Sequence, residues 1–121
     1  MTLTVATIDD SKTMREMMSH TLSEAGYQVL EAEDGQHALE VLKGKTADVV
    51  ITDLNMPNMD GLELIKALRQ TQEYASTPIL MLTTESDSEK KNAGRQAGAT
   101  GWIVKPFDPP KLLAVLKKVA G

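Results

Sequence analysis

Four short hydrophobic runs in this chain each stop at a side chain capable of chemistry, and that arrangement restricts the fold more than any bulk property does. Leu3 to Ile8 stops at Asp9-Asp10, Val49-Val50-Ile51-Thr52 at Asp53, Ile79 to Leu82 at Thr83, and Trp102-Ile103-Val104 at Lys105-Pro106. Short β-branched runs bounded by polar turns read as parallel strands buried on both faces. In an open parallel sheet the carboxyl ends of the strands line one crevice, where such sheets bind ligands. Asp9, Asp10, Asp53, Thr83 and Lys105 are therefore expected to meet on one rim.

Strand-like and helix-like runs alternate five times, which predicts an α/β domain with a parallel sheet. The first helix follows Ser11, carries Met14, Met17, Met18, Thr21, Leu22 and Ala25 on one face, and stops at Gly26. Val29-Leu30 and Ala32 make the second strand. Asp34 caps a helix carrying Ala38, Leu39 and Leu42, which stops at Gly44. Asp60 caps the third, with Leu62, Leu64, Ile65 and Leu68 as its core residues. Ser86 with Glu89 forms a capping box for the fourth, which ends near Ala97-Gly98. Asp108 and Pro109-Pro110 open the fifth, whose stripe is Leu112, Leu113, Val115, Leu116 and Val119. No linker, repeat or low-complexity tract interrupts this pattern, so residues 1–121 are expected to form one domain with no output domain.

A chain of 121 residues can bury its own core without staples. The absence of cysteine removes disulfides and thiolate metal sites and fits a reducing compartment. Met1 to Ile8 lacks the basic start of a signal peptide, and no apolar stretch approaches the roughly 20 residues of a membrane helix. A cytoplasmic protein with no membrane partner is expected. The net charge of −4 and a total of four aromatic residues argue against nucleic acid as a partner.

Asp9, Asp10 and Asp53 would crowd three negative charges together if the first and third strands are neighbours. Such a cluster is unfavourable unless a cation joins it or a pKa shifts. An all-oxygen site that keeps some water suits Mg²⁺. The plainer reading makes Asp9-Asp10 helix caps and Asp53 a solvated loop residue; the convergence of several strand ends favours a site. A carboxylate can act as a nucleophile and form an aspartyl-phosphate. The charge on a moving phosphoryl group then needs counter-charge already in place, from Mg²⁺ and a lysine. Lys105 stands where that lysine is needed, and Pro106 after it is a candidate for a cis peptide bond that aims the preceding side chain. The Thr83 hydroxyl can donate to a phosphoryl oxygen.

With these residues in view, the chain resembles bacterial response-regulator receiver domains, most closely the single-domain chemotaxis members of the CheY type. The matching stretches are Asp9-Asp10-Ser11, Thr13-Met14-Arg15, Glu31-Ala32-Glu33-Asp34-Gly35, Thr52-Asp53, Asn55 through Lys66, Met81-Leu82-Thr83, Gln96-Ala97-Gly98-Ala99 and Val104-Lys105-Pro106-Phe107. The resemblance implies a doubly wound (βα)5, flavodoxin-like fold with strand order 2-1-3-4-5, for which CheY is itself a standard example. It implies that Asp53 is the phosphoacceptor, taking its phosphoryl group from a phosphohistidine on a kinase. It further implies Mg²⁺ held by Asp10, Asp53 and the Asn55 backbone carbonyl, with Asp9 acting through water. Thr83 and Lys105 are similar to the pair that grips the phosphoryl oxygens. Trp102 occupies the switch-aromatic position, where the family usually has tyrosine or phenylalanine, and Thr84 stands where a smaller residue is common.

Other residues read more plainly. His20 falls off the buried face of the first helix, and His37 has no partner histidine at metal-ligand spacing. Met14, Met17 and Met18 read as core filler, whereas Met56 and Met59 are expected to be partly exposed. Lys90-Lys91 and Arg95 make one face of the fourth helix basic, either an ordinary solvated face or a docking surface. The resemblance places the output face on the fourth helix, fifth strand and fifth helix. The expected function is a phosphorylation-controlled binding module acting in trans, probed by a histidine kinase on one side and a flagellar switch or other protein target on the other. A phosphatase is a further expected partner, and the expected state is a monomer. The alternatives are a phosphate sink that drains a kinase, and an enzyme working through an aspartyl-phosphate. Against the enzyme, Asn55 stands two residues after Asp53 and cannot protonate a leaving group.

Overall fold

The computed structural model describes residues 2–54, 56–83, 88–105 and 107–120, without the side chains of Ser88 and Lys90. Asn55, Thr84, Ser86 and Pro106, each given a role above, lie outside the described residues. Five strands and five helices alternate: β1 (Thr4–Ile8), α1 (Lys12–Glu24), β2 (Gln28–Ala32), α2 (Gly35–Leu42), β3 (Val49–Asp53), α3 (Gly61–Arg69), β4 (Ile79–Thr83), α4 (Ser88–Ala97), β5 (Gly101–Val104) and α5 (Pro109–Ala120). All strand pairs are parallel, in the order β2-β1-β3-β4-β5. The expected flavodoxin-like α/β fold and its strand order are both present.

β3 and β4 are buried at every position, as expected of strands covered on both faces. Successive side chains point to opposite faces, so one strand feeds two cores. Val50, Ile79 and Met81 join Ala38, Leu42, Leu64, Ile65 and Leu68 under α2 and α3. Val49, Ile51, Leu80 and Leu82 join Met18, Leu22, Leu112 and Leu116 under α1 and α5. Each fully buried leucine or isoleucine here contributes about 1.5–3 kcal/mol through removal from water.

Local signals define the helix ends. The Ser11 hydroxyl accepts from the Met14 N–H at the start of α1, and Asp34 accepts from the His37 N–H at the start of α2. Asp60 and Glu63 form a reciprocal capping box at α3, stronger than the single cap expected there. Gly26, Gly44 and Gly98, the predicted helix stops, all have positive φ. The run Trp102-Ile103-Val104 is not buried on both faces as expected, because β5 is an edge strand and Val104 is 47 % exposed. The face expected of α1 is too broad: Met17 is 51 % exposed, so the buried part narrows to Met18 and Leu22, with Met14 packed at its edge. Ala25, also placed on that face, is exposed. The sheet covers only a narrow stripe of a helix, and helical spacing alone overstates its width.

Arg69 is a tertiary clasp that no local pattern announces. Its Nε donates to the Gly98 carbonyl at 2.9 Å, and its Nη1 donates to the carbonyls of Tyr74 at 2.7 Å and Thr77 at 2.6 Å. One guanidinium thereby binds the end of α3, the loop before β4 and the turn after α4. Among the described residues, no helix is long and apolar enough to cross a membrane.

Candidate functional site

β1 and β3 are neighbours although β2 intervenes in sequence, so the direction of winding reverses between them and a crevice opens at their carboxyl ends. Ile8 of β1 is in register with Thr52 of β3, so the residues that follow, Asp9 and Asp53, emerge side by side. Both are buried, whereas Asp10 points to solvent. One carboxylate oxygen from each of the three lies within 4.8 Å of the others. From the far side of β4, Lys105 brings its Nζ to 3.1 Å from Asp53 Oδ2 and 3.3 Å from Asp9 Oδ2.

Backbone donors fix the remaining carboxylate oxygens. Asp53 Oδ1 accepts from the Leu54 N–H at 2.8 Å, and Asp9 Oδ1 accepts from the Ser11 N–H at 2.9 Å. Asp9 Oδ2 is buried without a well-aligned hydrogen bond, facing the Lys105 ammonium as a bare ion pair. Burial raises the Asp53 carboxyl above its ordinary pKa and the Asp9 charge adds to this, outweighing Lys105 and the Leu54 N–H. Burial works against the Lys105 ammonium, but the hydrogen bond and charge of Asp53, with the charge of Asp9, prevail and raise its pKa. Lys105 is thus held protonated.

Three carboxylates against one ammonium leave the crevice short of positive charge. The donors are hard oxygens, one buried oxygen lacks a hydrogen bond, and Asp10 keeps one side open to water. This set fits a small divalent cation such as Mg²⁺. Asp9, Asp10 and Asp53 are the side chains that would hold it; the fourth expected ligand, the Asn55 carbonyl, lies outside the described residues.

The other predicted residues border this crevice. Thr83 is buried at the end of β4, and its carbonyl accepts the Lys105 N–H at 2.8 Å, so the two residues are joined through the backbone. Trp102 is half-buried on the α4 side of β5. Lys91 Nζ and Arg95 Cζ lie 4.8 and 5.4 Å from its ring centroid. Those two cations of the basic face therefore stack on the indole. His20 is exposed as expected, and the exposed His37 accepts the Glu33 N–H at Nδ1, a local loop contact.

Two contacts at the site have no counterpart among the expected residues. Asp34, lowered in pKa by the His37 N–H and by Asn58, holds the loop after β2 to the loop after β3 through a 3.0 Å bond from Asn58 Nδ2. Arg15 donates from Nη1 to the Asp9 carbonyl at 2.6 Å. A signal for the second existed: α1 carries Lys12 and Arg15 but no acidic residue in its first turn. Cations are unfavourable there beside the positive end of the helix dipole, so one of them needed a tertiary reason.

Known proteins align along nearly the whole chain. The family model described as response regulator receiver domain matches residues 5–117. A chemotaxis protein CheY homolog of Campylobacter jejuni is 44% identical over 116 residues, covering 94% of this chain and 89% of that protein. Among solved structures, chemotaxis protein CheY4 of Vibrio cholerae is 50% identical with a TM-score of 0.95, covering 98% of this chain and 99% of that one. A response regulator protein from Burkholderia multivorans is 49% identical with a TM-score of 0.82, covering 100% of this chain and 97% of that one. The match runs from β1 into α5, and so takes in every strand end that builds the crevice. The chain belongs to the response regulator receiver domain family.

Proposed function

We propose that this receiver domain takes a phosphoryl group from a phosphohistidine kinase onto Asp53, assisted by Mg²⁺, and that this changes its binding to a protein target in chemotaxis. The observation that carries the reading is the Asp53 carboxylate itself, buried at a strand end, crowded by Asp9 and Asp10 and faced by Lys105 at 3.1 Å. A carboxylate oxygen of Asp53 attacks phosphorus, the phosphorus–nitrogen bond of the donor breaks, and the imidazole leaves with that electron pair and takes up a proton. The Leu54 N–H fixes the carboxylate plane during attack, and Lys105 supplies charge toward the phosphoryl oxygens. Mg²⁺, when bound, neutralises charge on the same oxygens. The Thr83 hydroxyl is the proposed donor to a phosphoryl oxygen.

The target face is assigned to α4, β5 and α5. Val104 is 47 % exposed there, beside a groove of about 370 Å³ lined by Trp102, Ile103, Val104, Asp108, Lys111 and Val115. This apolar, accessible surface favours an effector over a phosphate sink. A flagellar switch protein is the proposed target, and the cytoplasm the proposed location. The test of the acceptor is label transfer from a phosphorylated histidine kinase to wild type and to Asp53→Asn. Uptake should vanish in a variant that stays folded; labelling at the wild-type rate would place the acceptor elsewhere.

A further inference from the structure

We infer that Arg15 is a positioning residue for the acidic pair, holding the turn after β1 in the shape that aims Asp9 and Asp10 at the cation. The inference rests on the Mg²⁺ reading above and adds to it a residue that is no ligand. Arg15 stands one turn into α1, where the helix dipole opposes a cation, yet its side chain is only 16% exposed. Something must offset both costs. The guanidinium spans two elements: Nη1 donates to the Asp9 carbonyl at 2.6 Å, and Nε lies 3.8 Å from Glu31 Oε1 on β2.

The effect on Asp9 is complete fixation of the residue. Its N–H donates to the Ala32 carbonyl at 3.1 Å, its Oδ1 accepts from the Ser11 N–H, and its carbonyl accepts from Arg15. Only Oδ2 remains, facing the crevice and Lys105. The Asp9 carbonyl belongs to the peptide unit that joins Asp9 to Asp10, so holding it also limits where the Asp10 side chain starts. Glu31 keeps the guanidinium in place across the sheet edge. Groups that orient ligands in this way commonly set metal affinity by about 10–100-fold when lost.

The sign of the effect separates positioning from charge. A cation close to a cation site repels the incoming ion, so charge alone predicts that Arg15→Gln binds Mg²⁺ more tightly and Arg15→Lys binds it equally. Positioning predicts that both bind it more weakly. Lysine keeps the charge but lacks the planar fork that reaches the carbonyl and Glu31 together.

The experiment is calorimetric titration of the wild type, Arg15→Gln and Arg15→Lys with MgCl₂, alongside thermal melts in EDTA to show that each variant folds without metal. Roughly tenfold or greater weakening in Arg15→Gln, with a loss also in Arg15→Lys, is expected. Unchanged or tighter binding in either folded variant overturns the inference. If Arg15→Gln does not fold, Arg15→Lys alone decides, because its charge is unaltered. Absence of Mg²⁺ binding by the wild type would overturn the underlying metal reading, a distinct outcome.

Discussion

Gly61 opens α3 against the backbone of the proposed phosphoacceptor, and its substitution sets two calculable effects against each other. A Cβ at this position would lie 2.9 Å from Leu54 Cα and 3.1 Å from the Asp53 carbonyl carbon, and closer still to the Asp53 carbonyl oxygen. These are backbone atoms, so no side chain can swing away. The helix start cannot retreat freely either, because the Gly61 N–H donates to the Leu54 carbonyl at 2.9 Å. Alanine in a helix is favoured over glycine by up to about 1 kcal/mol, so without the contact Gly61→Ala would stabilise the protein. Overpacking typically costs about 1–3 kcal/mol, and displacement of backbone belongs at the upper end. The net expectation is destabilisation by about 1–2 kcal/mol, which for a domain of this size lowers Tm by roughly 4–8 °C. The displaced atoms belong to Asp53, so phosphoryl uptake should slow as well. Urea unfolding without Mg²⁺ measures the first effect and label transfer the second. Gly26→Ala is the control: its φ of +92 makes alanine costly, yet nothing lies within 4 Å of the added methyl, so stability should fall with uptake intact. A Gly61→Ala variant at least as stable as wild type, or a Gly26→Ala variant that loses uptake as Gly61→Ala does, would refute the reasoning.

Mg²⁺ should raise Tm, since a ligand at ~100 times its dissociation constant that binds only the folded state adds about 2.7 kcal/mol. Asp10→Ala should abolish that rise while matching or exceeding wild-type stability in EDTA, because one of three crowded charges is gone; a full Mg²⁺ response would remove Asp10 from the site. Lys105→Ala should still accept phosphate but fail to transmit it, so a target affinity equal to that of phosphorylated wild type would reduce Lys105 to a surface lysine. Trp102 is the single tryptophan, and its emission should change when Mg²⁺ and beryllofluoride bind, with Thr83→Ala weakening the change. Lys91→Gln with Arg95→Gln should remove two ring contacts of about 0.5–1 kcal/mol each and increase quenching by acrylamide in the resting protein. Emission indifferent to confirmed beryllofluoride binding would make Trp102 a static residue.

What could be read from the chain alone was the part written in local chemistry. A strand end is a hydrophobic run meeting a polar residue, so Asp9, Asp53, Thr83 and Lys105 were recognisable one at a time, and the caps Ser11, Asp34 and Asp60 followed from hydrogen bonds made within three residues. Their convergence followed once the sheet was taken as parallel, but the order of its strands came from family resemblance, because periodicity does not say which strand lies beside which. Everything that depends on two distant elements touching was decided by the tertiary structure. Met17 was placed inside by helical spacing and lies outside because β1 and its neighbours cover less of α1 than the spacing allows. Trp102 beneath Lys91 and Arg95 required α4 to bring two cations over a side chain of β5, and the Arg69 clasp required two loops to present three carbonyls to one side chain. The raised pKa of Asp53 is the same kind of fact: desolvation and the Asp9 charge act over a few ångströms of space, a distance that exists only after residues 44 positions apart have been packed together.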